Sequence, residues 1–329
     1  MTVLVTGGAG YIGSHMVLEL LDAGEAVVVL DNLSTGFAWA VDPRATLVVG
    51  DMGDQDLVER VIRQHGADAI IHFAARIVVP DSVSDPLGYY LSNTVKTRAV
   101  MAAAVATGIR HFIFSSTAAV YGTPEVMPVA EDAPTRPESP YGTSKLITEW
   151  MLRDAAAAHP LEYVVLRYFN VAGADPAGRT GQSSPNATHL IKVAVQTALG
   201  LRAKMDVFGT DYPTPDGTCV RDYIHVTDLV RAHSAALAYL RAGGASMVAN
   251  CGYGRGYSVQ EVIDTVRKVT RVDFRADYAP RRPGDAAAVV ANPALAKARL
   301  AWQPRHEDLN EIVEHAFAWE RRLANGPEA

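Results

Sequence analysis

A tyrosine and a lysine stand four residues apart, at Tyr141 and Lys145, and Thr117 lies 24 residues before the tyrosine. On a helix this spacing puts the phenol and the ammonium on one face. A phenol ionises near pH 10, so it acts as a base at neutral pH only if nearby positive charge lowers its pKa, which Lys145 can do. The Thr117 hydroxyl, or that of Ser116 as the alternative, could share a substrate hydroxyl with the phenol. These residues predict proton transfer at a substrate alcohol.

A glycine-rich turn follows the first apolar run of the chain. Glycines recur there at every third residue, between a predicted strand at 3–5 and a predicted helix at 11–23. The first two let the backbone approach a pyrophosphate, the third lets helix and strand pack closely, and the N–H groups of the helix start face the phosphates. The residues predicted to contact a dinucleotide here are Gly7, Gly10, Tyr11, Ile12 and Gly13.

Polar and small residues end the next predicted strands. Asp31 comes 18 residues after Gly13, where a carboxylate can bind a ribose 2′-hydroxyl and would repel a 2′-phosphate. Because Asn32 rather than a cation follows it, the pattern predicts NAD and not NADP. The further residues predicted along the cofactor, on its adenine side and where it passes the fourth strand, are Asn32, Asp51, Met52, Phe73, Ala74 and Ala75.

Short β-branched runs alternate with longer amphipathic segments through the first half of the chain. The runs are apolar on both faces, which is typical of parallel strands covered by helices on each side. Their order predicts an α/β protein with a Rossmann-type doubly wound parallel sheet. The predicted strands are 3–5, 26–30, 47–49, 69–73, 111–114 and 161–168, and the helices are 11–23, 55–65, 86–107 and 140–158.

The composition changes after Asn170, where 174–186 is rich in glycine, proline, serine and aspartate and 211–217 is rich in proline. We expect a cofactor domain at 1–170 with returns near 218–252, and a smaller α/β domain, interleaved in sequence, at 171–217 and 253–329. Later helices are predicted at 187–201, 226–241, 258–269 and 307–323, with short strands at 205–208 and 247–250.

The chain has 329 residues, of which 49% are hydrophobic, and a formal charge of −6. This balance argues against a protein that neutralises nucleic-acid phosphates. No apolar segment is long enough for a membrane span and no basic region precedes the first strand, so we expect a cytoplasmic protein without a membrane partner. Two cysteines, Cys219 and Cys251, favour free thiols in a reducing compartment. The ten histidines are scattered and predict no metal site.

Several motifs together resemble one known family. The chain is similar to the extended short-chain dehydrogenase/reductase superfamily, and specifically to the UDP-glucose/UDP-galactose 4-epimerases. The similarity extends over essentially the whole chain, and the segments that carry Arg221 and Arg282 are far more specific than the glycine motif. The motifs are residues 7–13, 112–117, 120–122, 141–145, 166–170, 220–226 and 279–285.

This resemblance implies an NAD-dependent enzyme that inverts C4 of a UDP-hexose. Tyr141 would take the O4 proton while hydride passes from C4 to NAD, and the resulting 4-ketose would turn over before hydride returns to its other face. The cofactor contacts that the resemblance adds are Asn93, Ser115, Tyr141, Lys145 and Tyr168. The substrate contacts that it implies are Thr117, Tyr141, Asn170, His189, Leu190, Arg221, Tyr223, Arg282, Asp285 and Val289.

Two departures from related sequences bear on the reaction and the cofactor. The related 4,6-dehydratases carry an Asp-Glu pair directly after the strand-five threonine, because elimination of water needs an acid and a base. This chain has Ala118 and Ala119 there, which favours epimerisation over elimination and over decarboxylation. Ile77 replaces a lysine near the cofactor pyrophosphate, and whether Arg76 supplies that contact stays open at this point.

The sugar end of the substrate is less well defined. Val289, four residues past Asp285, stands where the family has either a bulky tyrosine or a smaller residue, so we hypothesise that UDP-N-acetylglucosamine is a substrate beside UDP-glucose. The alternatives are a UDP-pentose or UDP-uronate 4-epimerase, an NAD-dependent oxidoreductase that exchanges its cofactor, and a silent NAD-binding protein. By analogy with relatives, helices 86–107 and 141–158 predict a homodimer.

Overall fold

The computed structural model describes residues 1–184, 187–282 and 284–326. Its strands are β1 (Thr2–Thr6), β2 (Ala26–Asp31), β3 (Thr46–Val49), β4 (Ala67–His72), β5 (His111–Thr117), β6 (Glu162–Tyr168), β7 (Asn170–Ala172), β8 (Met205–Phe208), β9 (Val220–His225), β10 (Met247–Cys251), β11 (Gly256–Ser258), β12 (Ala276–Ala279) and β13 (Ala288–Val289). Its α-helices are α1 (Tyr11–Asp22), α2 (Gln55–His65), α3 (Val79–Ser84), α4 (Pro86–Tyr89), α5 (Lys96–Thr107), α6 (Pro140–Ala158), α7 (Leu190–Ala198), α8 (Val226–Arg241), α9 (Val259–Thr270), α10 (Ala294–Arg299) and α11 (Leu309–Ala324). A π-helical stretch spans Tyr90–Val95, and short 3₁₀ turns lie at Ala38–Ala40 and Ala118–Val120.

Seven parallel strands form the larger sheet, in the order β3-β2-β1-β4-β5-β6-β10. Their apolar side chains are buried on both faces, against α1 and α8 on one side and α2, α5 and α6 on the other. The chain reverses its direction across the sheet between β1 and β4. In sheets of this kind, ligands bind at the carboxyl ends of the strands beside that switch point. The predicted Rossmann-type fold is confirmed.

A smaller part combines a four-stranded sheet of β7, β9, β11 and β13 with a two-stranded sheet of β8 and β12. Helices α7, α9 and α11 contribute to its core. The chain then rejoins the larger sheet, because α8 packs on α1 and β10 pairs with β6. Within 218–252, β9 therefore belongs to the smaller sheet and the elements after it to the larger one. The assignment of cofactor and substrate to 1–170, 171–217 and 253–329 stays a prediction.

Some elements differ from those expected from the sequence. The helix expected over 86–107 is α4, the π-helical stretch and α5 in direct succession, and the π turn carries the buried side chain of Asn93. Strands β7, β9, β11, β12 and β13 are additional. They have between two and six residues, and β9 contains the polar residues Arg221, Asp222 and His225, so they lack the continuous apolar run of a buried parallel strand.

Both cysteines, Cys219 and Cys251, are free and buried. The expectation of unpaired thiols is thus confirmed. Within the described ranges, no helix is both long and apolar enough to cross a membrane.

A buried ion pair anchors α6 to β6. The guanidinium of Arg167 donates to both carboxylate oxygens of Glu149, with a shortest N–O distance of 2.6 Å. The same guanidinium lies 4.9 Å from the ring centroid of Tyr121, and the Ser116 hydroxyl also donates to Glu149. Removal of one partner would leave the other as an uncompensated buried charge.

We therefore expect Arg167→Met to lower the free energy of unfolding by about 3–5 kcal/mol. Arg153→Met is the matched control, because Arg153 pairs with Asp154 at 3.0 Å on the exposed surface of α6, the helix that carries Glu149. That variant should stay within about 0.5 kcal/mol of the original chain. Urea unfolding followed by circular dichroism measures both, and equal midpoints for the two variants would contradict the assigned role of the buried pair.

Candidate functional site

The glycine turn forms a narrow backbone cradle between β1 and α1. Gly7 has a φ of 75°, and a Cβ placed on it would lie 2.6 Å from the amide nitrogen of Ala74. A Cβ on Gly13 would lie 2.1 Å from the carbonyl oxygen of Gly7. Among the described residues no side chain caps α1 after Gly10, so the N–H groups of its first turn, from Tyr11 and Ile12 onward, can bind an anion. The cradle fits the pyrophosphate of a dinucleotide.

The carboxylate of Asp31 lies at the rim of this cradle. One oxygen accepts from the amide of Ala9 at 3.0 Å, and the other accepts from the amide of Leu33 at 2.8 Å. Each oxygen keeps another lone pair, so the carboxylate can also accept from a ribose hydroxyl. The side chain of Asn32 accepts from the amide of Ser34 at 3.0 Å and adds no positive charge. This arrangement favours NAD over NADP.

Asp51 and Met52 follow β3 and are already engaged in the fold. The Asp51 carboxylate pairs with the ammonium of Lys96 and accepts from the amide of Gly53 at 2.7 Å. Met52 packs against the core between the larger sheet and α2. An adenine contact by Asp51 would therefore be shared with Lys96, and the adenine role of both residues stays a prediction.

The segment after β4 is held against the cradle. The amides of Phe73 and Ala74 both donate to the carbonyl of Thr6, at 3.0 Å and 3.2 Å. Ala75 continues the segment away from this contact. The structure thus brings Phe73 and Ala74 to the switch point beside Gly7, where the sequence places the cofactor.

Asn93 clamps the residue that follows this segment. Its side-chain oxygen accepts from the amide of Arg76 at 2.8 Å, and its side-chain nitrogen donates to the carbonyl of Arg76 at 2.9 Å and to the Ser144 hydroxyl at 3.1 Å. The Arg76 side chain pairs with Asp85, and Ile77 is half exposed. Asn93 is therefore able to position the loop beside the cofactor cradle. The Arg76 side chain is engaged by Asp85, so it does not replace the lysine that Ile77 lacks near the pyrophosphate.

Tyr141 stands in the first turn of α6, against the end of β5. The helix begins after Ser139, whose hydroxyl accepts from the amide of Gly142 at 3.2 Å, and a Cβ on Gly142 would lie 2.6 Å from the carbonyl oxygen of Ala119. Burial raises the pKa of the Tyr141 phenol to about 12, and the neighbouring Thr117 side chain opposes that rise. The structure therefore brings the phenol and the Thr117 hydroxyl together.

Lys145 is buried one helical turn after Tyr141. Its ammonium donates to the carbonyl of Ser115 at 2.9 Å and lies 4.9 Å from the ring centroid of Phe114. Burial lowers the pKa of Lys145 to about 7, and the carboxylate of Glu149 acts in the opposite direction. The ammonium is thus held on β5, two residues before the threonine that faces Tyr141.

Tyr168 lies beside this group at the end of β6, where it pairs in register with Thr117. Burial raises the pKa of the Tyr168 phenol, and Tyr141 and Ser115 are its polar neighbours. Three adjacent strand ends, those of β4, β5 and β6, therefore carry the residues predicted around the nicotinamide.

Four of the predicted substrate residues line one cavity of the smaller part, and these are Asn170, His189, Leu190 and Tyr223. Asn170 and Tyr223 are register partners in β7 and β9. His189 precedes α7, and its Nδ1 lies 2.8 Å from the side-chain nitrogen of Gln182. Burial lowers the pKa of His189, so the ring is neutral near pH 7. The cavity combines neutral polar and apolar groups with the charged side chains of Lys192 and Glu320.

The remaining predicted substrate residues lie together on β9, on β13 and in the segment just before β13. Arg282 donates to the carboxylate of Asp285 at 3.0 Å, and a guanidinium nitrogen of Arg221 lies 4.0 Å from the same carboxylate. Val289 pairs in register with Arg221. Two guanidiniums that share one carboxylate keep a net positive charge, which suits a diphosphate.

Some side chains around these sites have little or no pattern in the sequence that would predict their position there. Lys192 and Glu320 form a buried ion pair in the wall of the cavity that Asn170 lines. They come from α7 and α11, which are far apart in the sequence and meet only in the fold. The ring centroid of His233 lies 4.9 Å from that of Phe73, and its Nε2 lies 2.9 Å from the Ser115 hydroxyl. The only available signal for His233 is a polar residue on the otherwise apolar face of helix 226–241.

Three comparisons with known proteins agree with this site. Residues 3–252 match the model of the NAD dependent epimerase/dehydratase family. A UDP-glucose 4-epimerase of Azospirillum brasilense is 56% identical over 321 residues, which cover 98% of this chain and 92% of that protein. The crystal structure of UDP-glucose 4-epimerase from Brucella ovis in complex with NAD aligns at a TM-score of 0.94 and 43% identity, covering 96% of this chain and 97% of that chain.

A further solved structure is named for two sugars. The UDP-Glc/GlcNAc 4-epimerase of Campylobacter jejuni aligns at a TM-score of 0.85 and 45% identity, and the alignment covers 98% of this chain and 99% of that chain. Sequence identity this high, over nearly the whole length of each chain, indicates a closer relationship than a shared fold alone. The chain therefore belongs to the NAD dependent epimerase/dehydratase family and, within it, to the UDP-glucose 4-epimerases.

Proposed function

We propose that this protein interconverts UDP-sugars that differ in configuration at C4, with UDP-glucose and UDP-galactose as substrates and NAD as the cofactor. The observation that carries the proposal is the convergence of Tyr141, Thr117 and Lys145 on the end of β5, beside the cradle of β1 and α1. One phenol that can both take and return a proton is sufficient for an inversion that has no net oxidation.

Tyr141 is the acid and base of this proposal. A phenol with a pKa of about 12 needs its phenolate stabilised by roughly 7 kcal/mol to act near pH 7. The Lys145 ammonium stabilises the phenolate as an opposite charge, and the forming phenolate in turn keeps Lys145 protonated. When bound, NAD accepts hydride from C4, returns it to the opposite face and adds positive charge beside the phenol. Thr117 holds the substrate O4 at the phenol.

The residues after Thr117 support epimerisation rather than elimination. They are Ala118 and Ala119, which begin a 3₁₀ turn, and the Thr117 hydroxyl oxygen accepts from the amide of Ala119 at 3.1 Å. Neither alanine can donate or accept a proton through its side chain. Elimination of water needs a separate acid and base at this place, and the turn supplies neither.

The nucleotide end of the substrate is assigned to the smaller part of the molecule. Arg221 and Arg282 are placed to bind the diphosphate, and Asp285 orients Arg282. The cavity lined by Asn170, His189, Leu190 and Tyr223 would take the uridine. This assignment gives the range 1–170, with the returns near 218–252 that join the larger sheet, to the cofactor. It gives the ranges 171–217 and 253–329, together with β9 and the boundary residue Asn170, to the UDP-sugar.

Val289 supports a substrate range that includes a 2-acetamido sugar. It is half-buried in β13 and packs against a cluster at the end of β5 and β6 that contains Val120 and Phe169. A short side chain at this position leaves room that a tyrosine would fill. The relative from Campylobacter jejuni, named for UDP-Glc and UDP-GlcNAc, supports the same range.

The other sugar nucleotides are tested with the same protein. A coupled assay compares UDP-galactose, UDP-N-acetylgalactosamine, UDP-arabinose and UDP-galacturonate, and a preference for either of the last two would replace the hexose proposal by the pentose or uronate alternative. Net NADH formation from any of them would favour an oxidoreductase that exchanges its cofactor.

An apolar stripe supports a homodimer. Leu87, Leu91 and Val95 follow one another at intervals of four residues along α4 and the π-helical stretch, and they are 80%, 53% and 54% exposed. Trp150 of the adjacent α6 is also about half exposed. Contiguous exposed apolar surface of this kind marks an interaction site. We assign it to a second copy of the chain, in the cytoplasm, where the two free thiols stay reduced.

Tyr141→Phe should lower kcat with UDP-galactose by at least ~10²-fold, because the variant keeps the ring but has no proton to exchange. Tyr89→Phe is the matched control, since Tyr89 is buried near Tyr141 but its hydroxyl donates to the carbonyl of Val78 at 2.6 Å. That variant should stay close to the original kcat. Near-normal turnover by Tyr141→Phe would remove Tyr141 from the mechanism.

Val289→Tyr should lower kcat/KM for UDP-N-acetylgalactosamine by about tenfold or more. Small steric changes in a substrate pocket typically alter transition-state binding by about 1–3 kcal/mol, which corresponds to a change of this size. The value for UDP-galactose should change much less. Val289→Ala serves as the control and should retain both substrates. The hypothesis fails if the original chain converts UDP-galactose but leaves UDP-N-acetylgalactosamine untouched.

Leu91→Arg should convert the dimer to a monomer, because it places a charge in the apolar stripe. Leu201→Arg is the control, since Leu201 is also 53% exposed but lies outside the stripe. Light scattering coupled to gel filtration gives both masses. A mass of one protomer for the original chain would contradict the homodimer directly.

A further inference from the structure

Three aromatic rings from distant parts of the chain stack beside the cofactor cradle. Phe37 and Trp39 follow β2, and Trp319 belongs to α11. The ring centroids of Phe37 and Trp39 lie 5.2 Å apart with the ring planes inclined by 28°, and those of Trp39 and Trp319 lie 6.5 Å apart with the planes inclined by 29°. Both separations are typical of offset stacked aromatic pairs. The three residues therefore form an aromatic ladder between the segment after β2 and the C-terminal helix.

The first end of the ladder lies on the backbone of the cradle. The amide of Phe37 donates to the carbonyl of Ala9 at 3.0 Å. A Cβ on Gly36 would lie 2.7 Å from the carbonyl carbon of Ala9, so the two backbones are in direct contact. The amide of the same Ala9 donates to the carboxylate of Asp31. Residues 35–40 therefore pack directly on the glycine turn and on the residue that holds the ribose carboxylate.

The second end of the ladder holds the segment at residues 180–183. Trp319 is buried, and a Cβ on Gly181 would lie 2.3 Å from its ring. The indole nitrogen of Trp319 donates to the hydroxyl of Ser183 at 3.3 Å. The hydroxyls of Thr180 and Ser14 lie 2.9 Å apart, which connects the same segment to α1. Residues 180–183 are thus held between the indole of Trp319 and the helix that begins at the cradle.

A cavity at the start of α1 lies between the two held segments. It is lined by Gly10 and Tyr11 of the cradle, by Thr35 and Phe37, and by Gly181 and Ser183. Among the described residues no side chain caps α1, so the N–H groups of its first turn can bind a phosphate. The hydroxyls of Thr35 and Ser183 can donate to phosphate or ribose oxygens. A dinucleotide held by the first turn of α1 would therefore have both segments beside it.

We propose that the aromatic ladder is a clasp, which holds residues 35–40 and 180–183 together beside bound NAD and slows the release of the cofactor. Trp39 is its central member, because it stacks on both other rings although its side chain is about half exposed. Without this ring, Phe37 and Trp319 would each stay with their own segment and nothing aromatic would join the two. The role rests on the NAD part of the proposed function and is independent of the sugar that reacts.

Exchange of bound NAD measures the clasp without turnover. Holoenzyme loaded with radiolabelled NAD is mixed with excess unlabelled NAD, and the label that stays bound is counted after gel filtration at successive times. Trp39→Ala should release the label about tenfold faster or more, because two ring contacts are lost and weaker binding appears mainly as faster dissociation. Trp39→Phe keeps an aromatic ring and should stay closer to the original rate.

Tyr278→Ala is the matched control. Tyr278 is also an exposed aromatic residue, but it lies in β12 and its hydroxyl donates to the side chain of Gln260 at 3.4 Å. This variant should release NAD at the original rate. Release by Trp39→Ala that is as slow as that of the original chain would overturn the proposal. Equally fast release by Tyr278→Ala and Trp39→Ala would overturn it as well, because the effect would not be specific to the ladder.

Hydrogen exchange of the holoenzyme locates the change in the structure. In Trp39→Ala, peptides that cover residues 35–40 and 180–183 should exchange faster than in the original chain, while a peptide that covers 141–145 should not change. Faster release of NAD with unchanged exchange in both segments would contradict the clasp. If Trp39→Ala does not fold, Phe37→Ala removes the first ring of the ladder and replaces it in both measurements. An original chain that retains NAD but leaves UDP-galactose unconverted would refute the proposed function, while the release rates would still test the ladder.

Discussion

The packing of α6 against the end of β5 is the interaction on which the site depends. The first turn of α6 fits because Gly142 has no side chain where a Cβ would meet the carbonyl of Ala119 at 2.6 Å. Further along, the ammonium of Lys145 donates to Ser115, and Glu149 receives both the Ser116 hydroxyl and the guanidinium of Arg167. Three successive turns of one helix are thus tied to β5 and to the 3₁₀ turn that follows it. The geometry of the proton-transfer group is a consequence of this register.

The same packing sets the electrostatics of the group. Burial raises the pKa of the Tyr141 phenol and lowers that of the Lys145 ammonium, so the site favours the neutral form of both. Formation of one charge makes the other more favourable, because opposite charges attract strongly where water is excluded. Loss of the Tyr141 proton is therefore coupled to the charge on Lys145 and to a charge change on a bound substrate or cofactor. This coupling suits a reaction in which proton and hydride leave the same carbinol.

The sequence was sufficient for the parts that follow from local pattern. Apolar runs predicted the parallel strands, the glycine spacing predicted the cradle, and the i,i+4 spacing of Tyr141 and Lys145 predicted a shared helix. The rest depends on residues that meet only in the fold. Lys192 and Glu320, which lie 128 positions apart, form a buried pair, and the ring of His233 contacts the hydroxyl of Ser115, which lies 118 positions away. Short strands such as β13 form because β9 provides a pairing partner. They are too short for a periodic pattern of apolar residues to reveal them in the sequence.

The two parts of the molecule are interleaved in sequence and are joined through β9. β9, which carries Arg221, ends at the residue before α8, which packs on α1. Asp222 of β9 accepts from the amides of Tyr253 and Gly254, just after β10 of the larger sheet. The strand that carries Arg221, one of the two arginines proposed to bind the diphosphate, is thus connected to the larger sheet through α8 and through Asp222. If Arg221 and Arg282 hold the diphosphate as proposed, presentation of the opposite face of C4 would require rotation of the sugar itself, about the bonds that join it to the diphosphate. Under the proposed function, the small Val289 would leave room beside the sugar for that rotation, and the same room would admit a larger substituent at C2.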